Sequence, residues 1–263
     1  MLNLEEIEKL SKEELIAVIK EERELNLDWK DYNFFEKTLI RPGDHILVNL
    51  FNVNLRAKDF ACLKPGTWLN DEVINLFFGL LKLRDQALIN SGEQIVSGEQ
   101  LVEQSHFFST QFYTNYDTQG YDSVCRWTRK FDIFEMNKVF VPVNISNRHW
   151  ILIVVYMENR KIQVYDSLGA GGFEYAKKVE EYFIREEVEK KGQQSVDWDV
   201  LVTTKNTPTQ VNGCDCGVFM CMFAYYISRN MSIRMVSREG MDTDRAFIGL
   251  EILKSVNSAT GSH

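Results

Sequence analysis

Between Val139 and Ser167 the apolar residues come in three short runs, VFVPVNI, HWILIVVYM and KIQVYDS, separated by polar breaks. Runs of that length, rich in Val and Ile, predict adjacent strands of one sheet. Farther along, Val218 to Ile227 is almost wholly apolar, which predicts a buried helix. Val73, Ile74, Phe77, Leu80 and Leu81 have helical spacing and predict a helix over Glu72 to Leu83, with Asn70 or Asp71 as its cap. Residues 174 to 190 predict a helix whose solvated face carries Glu and Lys pairs, and a last amphipathic helix runs roughly from Asp244 to Ser255. Residues 4 to 24 are also expected to be helical, with Ser11 and Glu14 as a capping box ahead of Leu15, Val18 and Ile19. Such a segment is most simply a surface helix covering part of the core; an appendage that binds a partner is the alternative. HILVNLF, within residues 40 to 55, and Val200 to Thr203 predict extended chain. SGEQ occurs at Ser91 and again at Ser97, too close for a solenoid repeat, and predicts a hydrated loop or frayed helix. Helices, then strands, then helices give the α+β class.

The 263 residues can bury a sizeable core, as one large domain or two small ones. With 44% hydrophobic and 26% charged residues the chain is ordinary for a globular protein, and four prolines argue against extended linkers. A net charge of -8 argues against broad binding to nucleic-acid phosphates. The N-terminus, MLNLEEIEKLSKEEL, carries acids where the apolar region of a secretion signal belongs. The longest apolar region, Val139 to Tyr156, is broken by Pro142, Asn144, Asn147, Arg148 and His149, so no membrane span is expected. The odd number of cysteines, Cys62, Cys125, Cys214, Cys216 and Cys221, then reads as free thiols in a reducing compartment.

One of those thiols is placed for chemistry. Cys216, in QVNGCDCGVFM, stands at the start of the apolar helix. A helix N-terminus favours a thiolate, and Gly213 and Gly217 allow tight turns and close backbone approach. The plainer alternative makes Cys214, Cys216 and Cys221 small core residues. Their C-x-C-x4-C spacing lacks a second ligand pair, so zinc is not expected. A base must come from His45, His106, His149 or the terminal His263. His149 heads an apolar strand, where a core histidine is the bland reading. Asp166, at the end of the next strand, favours the sharper one. A turn at Glu158 to Arg160 would bring the start of one antiparallel strand beside the end of the other, and a carboxylate there holds an imidazole in the right tautomer.

Four segments carry a wider resemblance: GTWLNDEVINLFFGLL at 66–81, FVPVNISNRHWILIVVY at 140–156, IQVYDSLG at 162–169 and TQVNGCDCGVFMCMF at 209–223. In order and spacing they resemble the ubiquitin-like-protein-specific proteases, the sentrin/SUMO group of adenain-like cysteine proteases, over roughly residues 44 to 256. The resemblance implies a papain-like α+β protease domain at 41–257, with a central, mostly antiparallel sheet flanked by helices. Residues 1–40 become an N-terminal helical extension and 258–263 a tail. It implies His149 as base, Asp166 as its orienter and Cys216 as nucleophile. Gln210 would supply an oxyanion donor, with backbone N–H groups near Cys216. Trp68 and Trp150 match two tryptophans that enclose a narrow tunnel passing only a Gly-Gly tail; by residue type alone both read as core. Asp71 matches a residue that pairs with a basic side chain on the modifier, with helix capping as the plain alternative.

The implied reaction is cleavage after the C-terminal Gly-Gly of a ubiquitin-like modifier. SUMO leads because of the WLND and DSLG segments. Ubiquitin or NEDD8 is the alternative, with a microbial effector in a host cytoplasm as one setting. Relatives that became acetyltransferases through the same cysteine usually carry Glu at the Asp166 position and lack WLND. A catalytically silent binding module is not expected with all four catalytic positions present. No cofactor or metal is needed. The partners implied are the modifier and its conjugates, not nucleic acid or membrane, for an intracellular monomer of nucleus or cytoplasm. Cys214 departs from the motif, as a thiol that either pairs reversibly nearby or is inert.

Overall fold

The computed structural model describes residues 4–11, 14, 17–18, 28–91, 103–169, 171–192, 197–202 and 206–260. Both SGEQ copies beyond Ser91, Leu15, Ile19 to Glu24, Thr203 and His263 lie outside them. In chain order the elements are α1 (Leu4–Lys9), α2 (Trp29–Leu39), β1 (Ile46–Leu50), β2 (Val53–Arg56), α3 (Ala57–Phe60), α4 (Asp71–Ser91), β3 (Ser105–Phe107), α5 (Gln111–Gln119), β4 (Lys138–Ile145), β5 (His149–Tyr156), β6 (Lys161–Tyr165), α6 (Phe173–Lys191), β7 (Asp199–Leu201), α7 (Cys216–Ser228) and α8 (Met241–Thr260).

The three apolar runs become β4, β5 and β6, antiparallel neighbours at the centre of a sheet ordered β3-β4-β5-β6-β7. The short outer strands run parallel to their neighbours, so the sheet is mixed with an antiparallel centre. Alternate side chains of β5 enter two cores. Trp150, Leu152 and Val154 join α4, α7 and α8 on one face, while Ile151, Ile153 and Val155 join α5 and α6 on the other. A strand covered on both faces reads as an unbroken apolar run rather than an alternation. Polarity therefore cannot fix the β4–β5 register, and the turn does so instead. Ser146 and Asn147 both adopt left-handed φ, 52° and 56°, the primed geometry that matches strand twist. The Arg148 N–H donates to Ile145 O at 3.0 Å, and Ile145 pairs with His149.

Helix α7 is buried along nearly all its length, wedged between the sheet and helices α4 and α8, which is why it is apolar all round. Helix α4 runs on to Ser91, past the Leu83 limit set by apolar spacing. Its inward face turns polar there: buried Asp85 pairs with Arg84 at 2.5 Å, and Arg84 reaches Ser228 Oγ at 2.7 Å. The Ser11–Glu14 capping box forms reciprocally, with Ser11 N donating to Glu14 Oε2 at 2.9 Å and Glu14 N to Ser11 Oγ at 3.3 Å. Ahead of it Ile7 is buried in the main core, and Arg234 donates to the carbonyls of Ile7 (2.8 Å) and Leu10 (3.0 Å). Phe35 and Leu39 of α2 enter the same core. No helix among the described residues is long and apolar enough to cross a membrane.

Candidate active site

His149 opens β5, and Asp166 follows the last residue of β6. The register pairs Tyr156 with Lys161 and Leu152 with Tyr165, which carries the next residue level with the head of β5. There His149 Nε2 lies 2.7 Å from Asp166 Oδ1. Asp166 is buried, and the same oxygen accepts the Leu168 N–H at 2.8 Å. Burial by itself pulls the imidazole pKa down. Hydrogen bonds to Asp166 and Cys216, with the negative charge of each, outweigh that and raise it to about 9. The Asp166 carboxylate above all, with the sulfur of Cys216, thus favours the protonated ring. The other histidines differ. His106 is buried with its ring 4.6 Å from Phe108 and 4.8 Å from Phe131, and burial pushes its pKa down to about 3. His45 is exposed in a turn.

Cys216 is the first residue of α7 and is buried. The loop before it is knitted by side chains. Asn212 Oδ1 accepts the N–H groups of Cys214 and Asp215, both at 3.1 Å, and Asn212 Nδ2 donates to Asp215 Oδ2 at 2.7 Å. Such an Asx turn sets the backbone just ahead of a helix. Gln210 is anchored to the turn after β6: its N–H donates to Ser167 O at 2.9 Å, and Ser167 Oγ donates to its Oε1 at 2.6 Å. That orients the amide nitrogen toward the loop, where Nε2 donates to Asn212 O at 2.5 Å. An amide nitrogen has two hydrogens, so a second remains to donate. A thiol facing a held imidazolium, with an amide donor and helix-head N–H groups close in sequence, is equipped to attack a carbonyl carbon.

The two tryptophans behave differently. Trp68 is 49% exposed and its indole N–H donates to Gly213 O at 2.6 Å, in the loop before Cys216. Trp150 is 5% exposed and donates to Leu69 O at 3.2 Å. Gly217 lets the head of α7 press against this pair: a Cβ there would fall 2.9 Å from Leu69 Cβ and 3.3 Å from Trp150 Cδ1. At the head of α4, Asn70 is the cap, accepting the Val73 N–H at 3.0 Å, and Asp71 is exposed. All five cysteines are free. The Cys214 Sγ lies 3.3 Å from Asn212 Oδ1, and burial together with the Asp215 charge raises its pKa. No group of three His, Cys, Asp or Glu side chains suited to a metal ion occurs among the described residues. Sequence reasoning passed over Asn212, Asp215, Ser167 and Arg245. Only Arg245 had a signal: it shares its helix face with Ile248 and Ile252, at i, i+3 and i+7.

Residues 67–258 match the family described as Ulp1 protease family, C-terminal catalytic domain. Every residue from Trp68 to Cys216 discussed above falls inside that match. A sentrin-specific protease of Caenorhabditis elegans is 35% identical over 193 residues, covering 73% of this chain and 26% of its own length. Sentrin-specific protease 2 of Homo sapiens is 32% identical over 204 residues, covering 75% of this chain and 32% of its own. The chain thus spans about a quarter to a third of these curated relatives. Among solved structures, the C-terminal Ulp1 protease domain in complex with Smt3, the yeast ortholog of SUMO, superposes with a TM-score of 0.73 at 28% identity, covering 88% of this chain and 96% of that one. A second, the SUMO protease Ulp1 with its catalytic cysteine oxidized to a sulfonic acid, gives a TM-score of 0.73 at 27% identity, covering 88% and 97%.

Proposed function

The chain belongs to the Ulp1 protease family, and from that membership we propose that it is a cysteine protease cutting after the C-terminal Gly-Gly of a ubiquitin-like modifier, with SUMO as the leading substrate. The observation that carries the reading is the imidazole of His149, bonded to buried Asp166 at 2.7 Å and beside Cys216 at the head of a helix.

In the proposed mechanism the Cys216 thiolate attacks the glycyl carbonyl carbon. The second Nε2 hydrogen of Gln210 and backbone N–H groups at the head of α7 receive the oxyanion. As the tetrahedral intermediate collapses, His149 gives its proton to the leaving amine, and the modifier stays on sulfur as a thioester. The imidazole, now neutral, takes a proton from water, whose hydroxide attacks the thioester and releases the modifier's carboxylate. Asp166 holds the ring through Nε2 in both half-reactions. Trp68 forms the outer wall of the channel for the glycine tail, with Trp150 beneath it, and Asp71 meets a basic side chain on the modifier. Residues 41–257 are the protease domain, 1–40 an N-terminal helical extension that adds Ile7, Phe35 and Leu39 to its core, and 258–263 a tail. The enzyme acts as an intracellular monomer on modifier conjugates or precursors, in nucleus or cytoplasm, without a cofactor. The SUMO preference is supported by the names of the sentrin-specific relatives and by Smt3 in the Ulp1 complex.

The test uses SUMO, NEDD8 and ubiquitin carrying a C-terminal electrophile, incubated with the wild type and with Cys216→Ala. The expected result is a covalent adduct with the SUMO probe in the wild type alone. An adduct only with ubiquitin or NEDD8 replaces the substrate. No adduct with any probe overturns the protease reading, and acetyl-CoA-dependent labelling of Cys216 would put an acyltransferase in its place.

A further inference from the structure

The residue before Trp68 and the residue before Cys216 are held by one side chain. Arg245, on α8, is 1% exposed. Its Nη2 donates to the Thr67 carbonyl and to Asp215 Oδ1, both at 2.7 Å. Its Nη1 donates to the carbonyls of Cys62 and Lys64, both at 3.1 Å. Thr67 Oγ1 tightens the same turn, sharing its one hydrogen between Cys62 O at 2.6 Å and Lys64 O at 2.5 Å. The far side is tightened too, since Asp215 Oδ2 takes the Asn212 amide at 2.7 Å. One planar guanidinium thus ties together two loops, 62–67 and 214–215, that no strand ladder joins.

A charge in that position is expensive. Desolvating an ion costs several kcal/mol, and apolar residues of like volume often replace a buried pair without loss of stability. Arg245 Nε also finds no acceptor among the described residues. Stability alone therefore accounts poorly for an arginine here. An apolar side chain would fill the space but could not hold the four Nη hydrogens in a fixed fork toward two loops.

We propose that Arg245 is a positioning residue that sets the spacing between the Trp68 wall of the tail channel and the Cys216 thiol. The inference rests on the protease reading above. Arg245 touches neither tail nor thiol; it acts through Thr67, one residue from Trp68, and through Asp215, one residue from Cys216. The Trp68 bond to Gly213 O at 2.6 Å is a second tie across the same gap, so loss of Arg245 shifts the wall without freeing it. A misplacement on the order of 1 Å is enough to lower the rate about 100-fold.

The test compares the wild type with Arg245→Lys and Asp215→Asn. Lysine keeps the charge but cannot fork, and Asn keeps the shape but loses the ion pair. Three quantities are measured: kcat and KM on SUMO-Gly-Gly-aminocoumarin, the rate of Cys216 alkylation by iodoacetamide against pH, and thermal stability. The deciding readout is kcat relative to alkylation rate at the same pH, which cancels changes in the thiol itself. In Arg245→Lys that ratio should fall about 10- to 100-fold, with KM within about threefold and the alkylation profile close to wild type. Asp215→Asn should lower the ratio in the same sense, and the double variant should be no worse than the poorer single one. A ratio that stays at the wild-type value in a folded variant overturns the proposal. So does a loss of kcat matched by an equal loss of alkylation, which would make Arg245 a support of the thiol alone. If Arg245→Lys does not fold, Asp215→Asn decides by the same ratio. A wild type that cleaves nothing here while its thiol alkylates normally refutes the protease reading, and the proposal with it.

Discussion

His149 and Asp166 stand on one bank of the site, Trp68, Gln210 and Cys216 on the other, and the two banks are built differently. The first is set by main-chain pairing, with Ile145 opposite His149 and Leu152 opposite Tyr165. The second rests on single side-chain bonds to carbonyls: Trp68 to Gly213, Gln210 to Asn212, Arg245 to Thr67. A ladder spreads its load over many bonds, so one lost side chain leaves the backbone where it was. A loop bed has fewer ties to share the load. Substitutions on the sheet bank should therefore alter chemistry at constant geometry, and those on the loop bank should alter geometry first.

The largest effect that sharpens this contrast is expected from Asp166→Asn. The amide fits the same space and keeps an acceptor for the Leu168 N–H, but it no longer stabilises the imidazolium. Kcat should drop about 10³- to 10⁴-fold on a SUMO-Gly-Gly fluorogenic substrate, with KM and thermal midpoint nearly unchanged. A tenfold rise in KM, or a stability loss as large as that of a core truncation, would show the sheet bank to be no stiffer than the loops. Next in size comes the pair of tryptophans. Trp68→Ala should lower kcat/KM roughly tenfold while shifting stability by under about 1 kcal/mol, because half of the indole faces solvent. Trp150→Ala should destabilise by about 3–5 kcal/mol, as expected for an aromatic emptied from a core. Equal stability losses, measured by denaturant unfolding, would make Trp68 a core residue.

The same contrast explains what could be read before the structure was known. Strand pairing is announced by composition, so VFVPVNI, HWILIVVYM and KIQVYDS disclosed the centre of the sheet, and their order brought His149 beside Asp166. Helix α7 was legible for the same reason, though its apolar run starts two residues after its true head at Cys216. Strand β3 was not: three residues, SHF, pair in parallel with a partner more than thirty positions away. Nor was α5, whose short stripe of Phe112, Tyr113 and Tyr116 is set among Thr, Asn, Asp and Gln. Apart from Cys216, which the head of its apolar helix singled out, the loop bank was legible only through family resemblance, because a bond from Gln210 or Trp68 to a carbonyl depends on backbone angles that no local pattern encodes. Residue type could not tell exposed Trp68 from buried Trp150. The Asn70 cap had the same ambiguity, since Asn70 and Asp71 are both good caps and only the chain's path chose between them.

The smallest expected effect tests the point where the banks touch, at His149 and Cys216. The folded imidazole has its pKa raised to about 9, against an ordinary 6.5. The native state therefore holds a proton that the unfolded chain releases as pH climbs past its ordinary value. That stabilisation is fully present below about pH 6.5, shrinks above it, and is lost as pH rises through about 9. Cysteine, tyrosine and lysine side chains titrate in the upper part of that window, so the quantity to measure is the difference in thermal midpoint between wild type and His149→Gln. The wild-type advantage should be largest near pH 6 and narrow toward pH 10. In an Asp166→Asn background the narrowing should come at lower pH, because the leading cause of the raised pKa is gone. An advantage that stays flat with pH would mean a neutral imidazole, joining the two banks by packing alone. A sloping one means a charged imidazole, and whatever slope survives in the Asp166→Asn background is the share that the sulfur across the gap contributes.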